Sequence, residues 1–161
     1  MQYRNFGNTG ERVSALGFGT MRLPVYPNSN TIDEEYSKQL IRYAIDNGVN
    51  YIDTAYSYND GVAERVTGDA LLEGYRDKVY LATKAPVWLY ENESDFDKYL
   101  NIQLDRLHTD HIDFYLLHSL DKSNFEKCEK YGAYDFLLEK QKQGLIKNIG
   151  FSFHGTIDDL K

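Results

Sequence analysis

The chain has 161 residues, 42% of them hydrophobic and 27% charged, with a formal net charge of −7. Those values describe one ordinary globular domain with enough apolar residues to bury a core. There is no Lys/Arg stripe and no long uncharged apolar run, so neither nucleic acid nor a membrane is an expected partner.

The amino terminus, Met1-Gln-Tyr-Arg-Asn-Phe, lacks the apolar stretch of a signal peptide, and the single cysteine has no internal partner. Both features fit a reducing cytosol. Cys128 sits among acids and bases in Phe125-Glu-Lys-Cys-Glu-Lys130, and reads as a solvent-side or half-buried thiol, not a nucleophile or metal ligand.

In chain order, turn signals at Gly7-Asn8 and Thr9-Gly10 predict a hairpin between Tyr3 and Leu16. Ala15 to Leu23 predicts a buried strand, its glycines marking close approach of a backbone or ligand. Thr31-Ile-Asp-Glu34 has the form of a capping box. Tyr36, Leu40, Tyr43 and Ala44 then give the inward face of a helix that stops at Asn47-Gly48. A strand at Asn50–Thr54, a helix at Ala63–Leu72 and a strand at Val79–Thr83 follow. Ser94, with Asp97, is positioned to cap a helix whose stripe is Phe96, Leu100, Leu104 and Leu107. A strand at Ile112–Leu117, a helix around Tyr134–Gln143, a strand at Ile146–Ser152 and a helical turn from Thr156 complete the chain.

Apolar strands alternating with amphipathic helices imply a parallel sheet covered by helices. A doubly wound open sheet and a (β/α)8 barrel both have this alternation. Gly17-Phe-Gly19 lacks the third glycine of a dinucleotide-binding fingerprint. Polar residues at successive strand ends favour the barrel.

Four of those residues make a chemical set. Asp53 and Tyr58 lie at the polar end of Tyr51-Ile-Asp-Thr-Ala-Tyr-Ser-Tyr58. Lys84 closes the next strand, and His118 closes the most apolar one. Each has a bland reading alone: a buried ion pair, one of 14 tyrosines, a solvated lysine, a core histidine. Together they stand at the C-terminal ends of three successive parallel strands. A lysine ammonium favours a phenolate, so it eases proton donation by tyrosine. An aspartate holds the lysine, and a histidine orients a carbonyl. No side chain supplies a hydride, so a nicotinamide cofactor is required.

These stretches resemble the aldo-keto reductases, NAD(P)H-dependent (β/α)8 barrel enzymes that reduce aldehydes and ketones. The resemblance rests on Asn5-Phe-Gly-Asn-Thr-Gly10, Leu16-Gly-Phe-Gly-Thr20, Asp53-Thr-Ala-Tyr-Ser-Tyr58, Ala82-Thr-Lys84, Leu104-Asp-Arg-Leu107, Asp113-Phe-Tyr-Leu-Leu-His118 and Ile149-Gly-Phe-Ser152. It implies Tyr58 as general acid, Lys84 and Asp53 tuning it, and His118 orienting the carbonyl. It also implies Gly19, Thr20, Met21, Asp53 and Ser152 at an NADP(H) cofactor, with NAD(H) the alternative. Phe153 stands where the family usually has Asn. Lys84-Ala-Pro-Val-Trp88 and Gly150-Phe-Ser-Phe-His154 resemble a bacterial and archaeal subgroup whose full-length members often add a C-terminal ferredoxin-like iron–sulfur segment. No such segment lies within these residues.

The resemblance predicts a partial TIM barrel: an N-terminal hairpin plus about five parallel strands with intervening helices. A whole barrel takes roughly 250 residues. Residues 1–161 are therefore expected to be the N-terminal part of one truncated barrel domain, with two free strand edges, an open apolar inner face and self-association through those edges. The competing readings are a non-catalytic assembly module and a Schiff-base enzyme using Lys84.

Overall fold

The computed structural model describes residues 1–161. Strands β1 (Tyr3–Asn5) and β2 (Arg12–Ser14) form the expected antiparallel hairpin. Five parallel strands follow: β3 (Phe18–Gly19), β4 (Tyr51–Asp53), β5 (Tyr80–Ala85), β6 (Ile112–Leu120) and β7 (Ile146–Phe153). The helices are α1 (Glu34–Asp46), α2 (Val62–Leu71), α3 (Ser94–Arg106), α4 (Lys122–Lys130), α5 (Ala133–Lys142) and α6 (Ile157–Leu160). The strands lie side by side in chain order. Each crossover thus advances the sheet in one direction, whereas a doubly wound sheet reverses at a switch point. One-way winding is that of a (β/α)8 barrel, and five of its strands are present.

Register sorts the side chains into two faces. Asp53 pairs with Ala82, Ala82 with Phe114, and Lys84 with Leu116. Alternation then puts Tyr51, Asp53, Tyr80, Ala82, Lys84, Phe114, Leu116 and His118 on the inner face. Ile52, Leu81, Thr83 and Tyr115 face outward into the buried core shared with α1, α2, α3 and α5. The hairpin closes the N-terminal end of the inner face. Phe6 packs on Tyr51 and Phe114 with ring centroids 5.6 and 5.0 Å apart.

Several local expectations are corrected. Only Phe18–Gly19 of the predicted Ala15–Leu23 strand is paired, and neither residue is buried. Asp33, not Thr31, caps α1 by accepting the Tyr36 N–H, and Glu34 pairs with Arg65 instead of closing a capping box. Thr31 is held by its own carbonyl, which accepts the Tyr26 N–H. The inward face of α1 is Ser37, Ile41 and Ile45, while Tyr36 and Tyr43 are exposed. Ser94 opens α3 without capping it: its hydroxyl donates to Asn92, and Asp97 pairs with Lys140. Helix α4, which carries Cys128, has no counterpart among the expected elements; Phe125 and Cys128 give it too little apolar rhythm. Its thiol is fully buried, not solvent-side, and burial pushes its pKa up to about 11. Both ends of the sheet, β3 and β7, have a free edge. The inner face of β7 is not apolar as expected, because it carries Asn148, Gly150 and Ser152.

Asp113 ties the N-terminal ends of three strands together. Its carboxylate accepts from the Leu81 N–H (2.9 Å), Arg76 (2.7 Å) and Lys147 (2.8 Å). Burial alone would raise its pKa, but the Leu81 N–H, Lys147 and Arg76 outweigh burial and hold it below the ordinary value. Asp113→Ala leaves the part-buried Arg76 and the buried Leu81 N–H short of an acceptor, and should lower stability by roughly 1–3 kcal/mol. Urea unfolding followed by circular dichroism measures this, and an unchanged midpoint would remove Asp113 from the account of the sheet.

Candidate active site

The site lies at the C-terminal ends of β4, β5 and β6. Parallel register does the first part of the assembly, since Asp53 pairs with Ala82, two residues before Lys84 on the same face. Beyond β4 the chain turns at once, and Tyr58 opens a short 3-10 turn, Tyr58–Gly61. Three successive residues there have left-handed backbones: Asn59 (φ 50), Asp60 (φ 56) and Gly61 (φ 86). Such a run is unfavourable for non-glycine residues and must be held by its surroundings. It brings Tyr58 back over the sheet.

The Lys84 ammonium uses all three of its donors. It donates to Asp53 Oδ1 at 2.7 Å, to the Thr54 carbonyl at 2.7 Å and to the Tyr58 hydroxyl oxygen at 3.0 Å. Lys84 is only 6% exposed, and an unpaired charge at that depth would be costly. Because the phenol oxygen accepts from Lys84, its own proton is free to be given elsewhere.

His118 completes the quartet at the mouth. Strand β6 runs on to Leu120 instead of ending at Leu117, with a register irregularity between Leu117 and Leu120 and a left-handed backbone at Ser119 (φ 57). Bulges of this kind re-aim side chains near sites. The Ser119 N–H leaves the ladder and donates to Ser152 Oγ at 2.8 Å. The His118 ring meets Tyr58 edge-on at 5.9 Å and Trp88 at 5.2 Å. Burial, then Lys84, then His154 lower its pKa to about 4, so the imidazole is neutral at pH 7. Its Nδ1 is buried with no hydrogen-bond partner.

The five residues expected at a cofactor divide by environment. A Cβ on Gly19 would meet no atom within 4 Å, so the backbone there lies open. The Thr20 N–H donates to the Asp53 carbonyl at 2.9 Å, and Thr20 Oγ1 is buried without a partner. Met21 is half-exposed. Ser152 Oγ accepts from Ser119 and keeps its own O–H to donate. The open backbone at Gly19 and the free hydroxyl donor of Ser152 fit the amide end of a nicotinamide. Sequence reasoning missed the Thr54 carbonyl as a ligand of Lys84. It also missed His154 as a neighbour of His118, and the Ser119–Ser152 link. The only signals were adjacency to Asp53, to the Gly-Phe-Ser stretch and to His118.

A sequence profile described as the aldo/keto reductase family matches residues 15–161. The chain is 36% identical over 126 residues to the aldo-keto reductase YhdN of Bacillus subtilis, covering 73% of this chain and 38% of YhdN. Among solved structures, an aldo-keto reductase of Bacillus halodurans in its holo form superposes with a TM-score of 0.75 at 30% identity, over 95% of this chain and 50% of that one. A Klebsiella pneumoniae aldo/keto reductase in complex with NADP and acetate superposes with a TM-score of 0.71 at 30% identity, over 94% and 49%. The chain thus spans about half the length of its structural relatives. With its strand order, its inner-face quartet and this match all agreeing, the chain belongs to the aldo/keto reductase family.

Proposed function

We propose that these residues perform the proton half of an NAD(P)H-dependent reduction of an aldehyde or ketone, as the N-terminal part of a single barrel domain. The observation that carries the reading is the Lys84 ammonium bonded at once to Asp53 and to the Tyr58 hydroxyl. Tyr58 is the general acid. As its proton passes to the substrate oxygen, negative charge grows on the phenol, 3.0 Å from a fixed cation that stabilises it. Asp53 and the Thr54 carbonyl keep that cation in place. Neutral His118 offers one ring N–H to the carbonyl oxygen and does not compete as the acid.

The hydride is the chemistry that a reduced nicotinamide cofactor supplies when bound. Gly19, Thr20, Met21, Asp53 and Ser152 would hold it, with NADP(H) the proposed form and NAD(H) the alternative. The NADP named with the Klebsiella relative supports that choice. Lys84 Nζ is already engaged by Asp53, Thr54 and Tyr58, so it is not presented free to a substrate carbonyl as a Schiff-base lysine must be. The proposed substrate is a small carbonyl compound and the proposed compartment is the cytosol, supported by a lone cysteine buried as a free thiol.

The second reading, an assembly module, draws on one feature. The free edge of β7 adjoins an apolar groove of about 990 Å³ lined by Leu117, Leu120, Phe125, Phe151, Phe153 and Leu160, which suits self-association. NADPH titration separates the two readings. Trp88 packs on His118 and is the sole tryptophan, so binding should quench its fluorescence. An unquenched signal together with no turnover of a reactive aldehyde would leave the module reading. Tyr58→Phe should lower reduction by about 10²–10⁴-fold while quenching persists; residual activity above a tenth of the starting rate rules Tyr58 out as the acid.

His118 also predicts a pH effect. Its pKa is lower folded (about 4) than unfolded (about 6.5), so the unfolded chain takes up the proton first. The contribution is fully present above pH 6.5 and is lost as pH falls toward 4, amounting to on the order of 3 kcal/mol. His118→Gln should flatten the stability profile between those limits in thermal melts. A profile as steep as that of the unmodified chain would refute the assignment.

A further inference from the structure

Behind the sheet lies a second polar cluster that the proton transfer does not use. Glu64, on α2, is fully buried, and so is Gln103 on α3. A buried carboxylate is costly unless each oxygen is satisfied. Here one oxygen accepts from the Thr83 hydroxyl at 2.7 Å and from Gln103 Nε2 at 2.6 Å. The other accepts from Arg106 at 3.1 Å. The two helices can bring these groups together only because Gly68 sits between them: a Cβ there would lie 2.4 Å from the Arg106 carbonyl.

Two arms leave Glu64, and each ends at a carrier of the inner-face pair. The first goes through Thr83 and Gln103. Thr83 is the outward neighbour of Lys84, and Gln103 Nε2 also donates to the Lys84 carbonyl at 3.1 Å. The Gln103 carbonyl oxygen in turn accepts from Tyr115 of β6 at 2.7 Å, which fixes its orientation. The second goes through Arg106. That guanidinium donates to the Tyr56 carbonyl at 3.3 Å and lies 4.5 Å from the centre of the Tyr56 ring. It also closes on Gly61, where a Cβ would sit 2.8 Å from the guanidinium. Tyr56 and Gly61 bracket the turn that presents Tyr58, and this is the turn with three left-handed residues in a row. Its backbone cannot hold that shape unaided.

We propose that Glu64 is a positioning residue that sets the Tyr58–Lys84 spacing from the outer side of the sheet, by joining the strand that carries Lys84 to the turn that carries Tyr58. This rests on the reading of Tyr58 and Lys84 as the proton machinery. Glu64 touches neither side chain. It fixes the two backbones on which they stand. A solitary carboxylate serves because its two oxygens face opposite ways, one toward β5 and one toward the turn.

The test uses the full 161-residue chain. Glu64→Gln keeps the shape but removes the charge and presents an N–H₂ group to donors. Lys84 is acetylated with acetic anhydride and quantified by peptide mass spectrometry. Cys128, buried on α4 and hydrogen-bonded to no member of this cluster, is alkylated with iodoacetamide as a report of general opening. Lys84 acetylation should rise by about fivefold while Cys128 alkylation stays constant, the signature of local and not global loosening. In turnover of a reactive aldehyde with NADPH, kcat should fall by about 10- to 100-fold with KM little changed. Lys84 and Cys128 rising together would mean that Glu64 only holds the fold, and Lys84 unchanged would mean that it positions nothing; either overturns the proposal. If Glu64→Gln fails to fold by circular dichroism, Gln103→Leu decides, since it removes the bond to the Lys84 carbonyl and leaves Glu64 bonded to Thr83 and Arg106. Lys84 acetylation must then still rise alone. A chain with no turnover at all counts against the reductase reading, while the labelling contrast still decides whether Glu64 sets the spacing.

Discussion

One ammonium group organises the inner face. The Lys84 Nζ is nearly inaccessible to water, and a lysine has three donors and no acceptor. The protein supplies three oxygens from three kinds of source: a side-chain carboxylate, a main-chain carbonyl and a phenol. Each comes from a different point on the path from β4 into the turn. Moving any one of them leaves a buried charge short of a partner, so the end of β4, the Tyr58 turn and the end of β5 are locked to one another. Register does the coarse work, because Asp53 opposite Ala82 leaves Lys84 one inward step further along.

The sheet that carries this charge is two-sided in chemistry. Across β4, β5 and β6 the buried polar side chains of its outer face are Thr83 and Asp113, and both are anchored. Asp113 collects Arg76, Lys147 and the Leu81 N–H at one end of the sheet. Thr83 meets Glu64 and Gln103 toward the other. Buried polar groups satisfied in this way tolerate little rearrangement, because the low local dielectric makes a lost bond expensive. On β4, β5 and β6 the inner face begins with aromatic packing among Phe6, Tyr51 and Phe114 under the hairpin, and turns polar at Asp53 and Lys84. Burial raises the Tyr51 pKa to about 12, with Asp53 adding to the effect, so that ring is an apolar floor and not a second acid.

Strand ends were the most legible part of the molecule. Strands β4, β5 and β6 are apolar runs, and Asp53, Lys84 and His118, breaking those runs, mark where polar side chains enter the inner face. Helix faces were less legible. Tyrosine is amphipathic, so Tyr36 and Tyr43 matched a helical stripe and yet face water, while Ser37 packs inside. Thr31 matched a cap by spacing but lies beside the bridge between Val25 and Ile32, and the adjacent Asp33 does the capping. Glu64 was invisible for the same kind of reason. A glutamate on a helix reads as solvated, and only the approach allowed by Gly68 reveals that Gln103 and Arg106 meet it. Long-range pairings of polar side chains leave no periodic trace in a sequence.

The division of labour proposed for Tyr58 and His118 rests on the same ammonium. A site that already holds one buried cation resists a second, since like charges in a low dielectric raise each other's energy. Burial, and after it the neighbouring Lys84, push His118 toward its neutral form. With the imidazole neutral at pH 7, Lys84 is the cation of the set, and the role proposed for Tyr58 as the acid rests on its hydroxyl oxygen accepting from that cation at 3.0 Å.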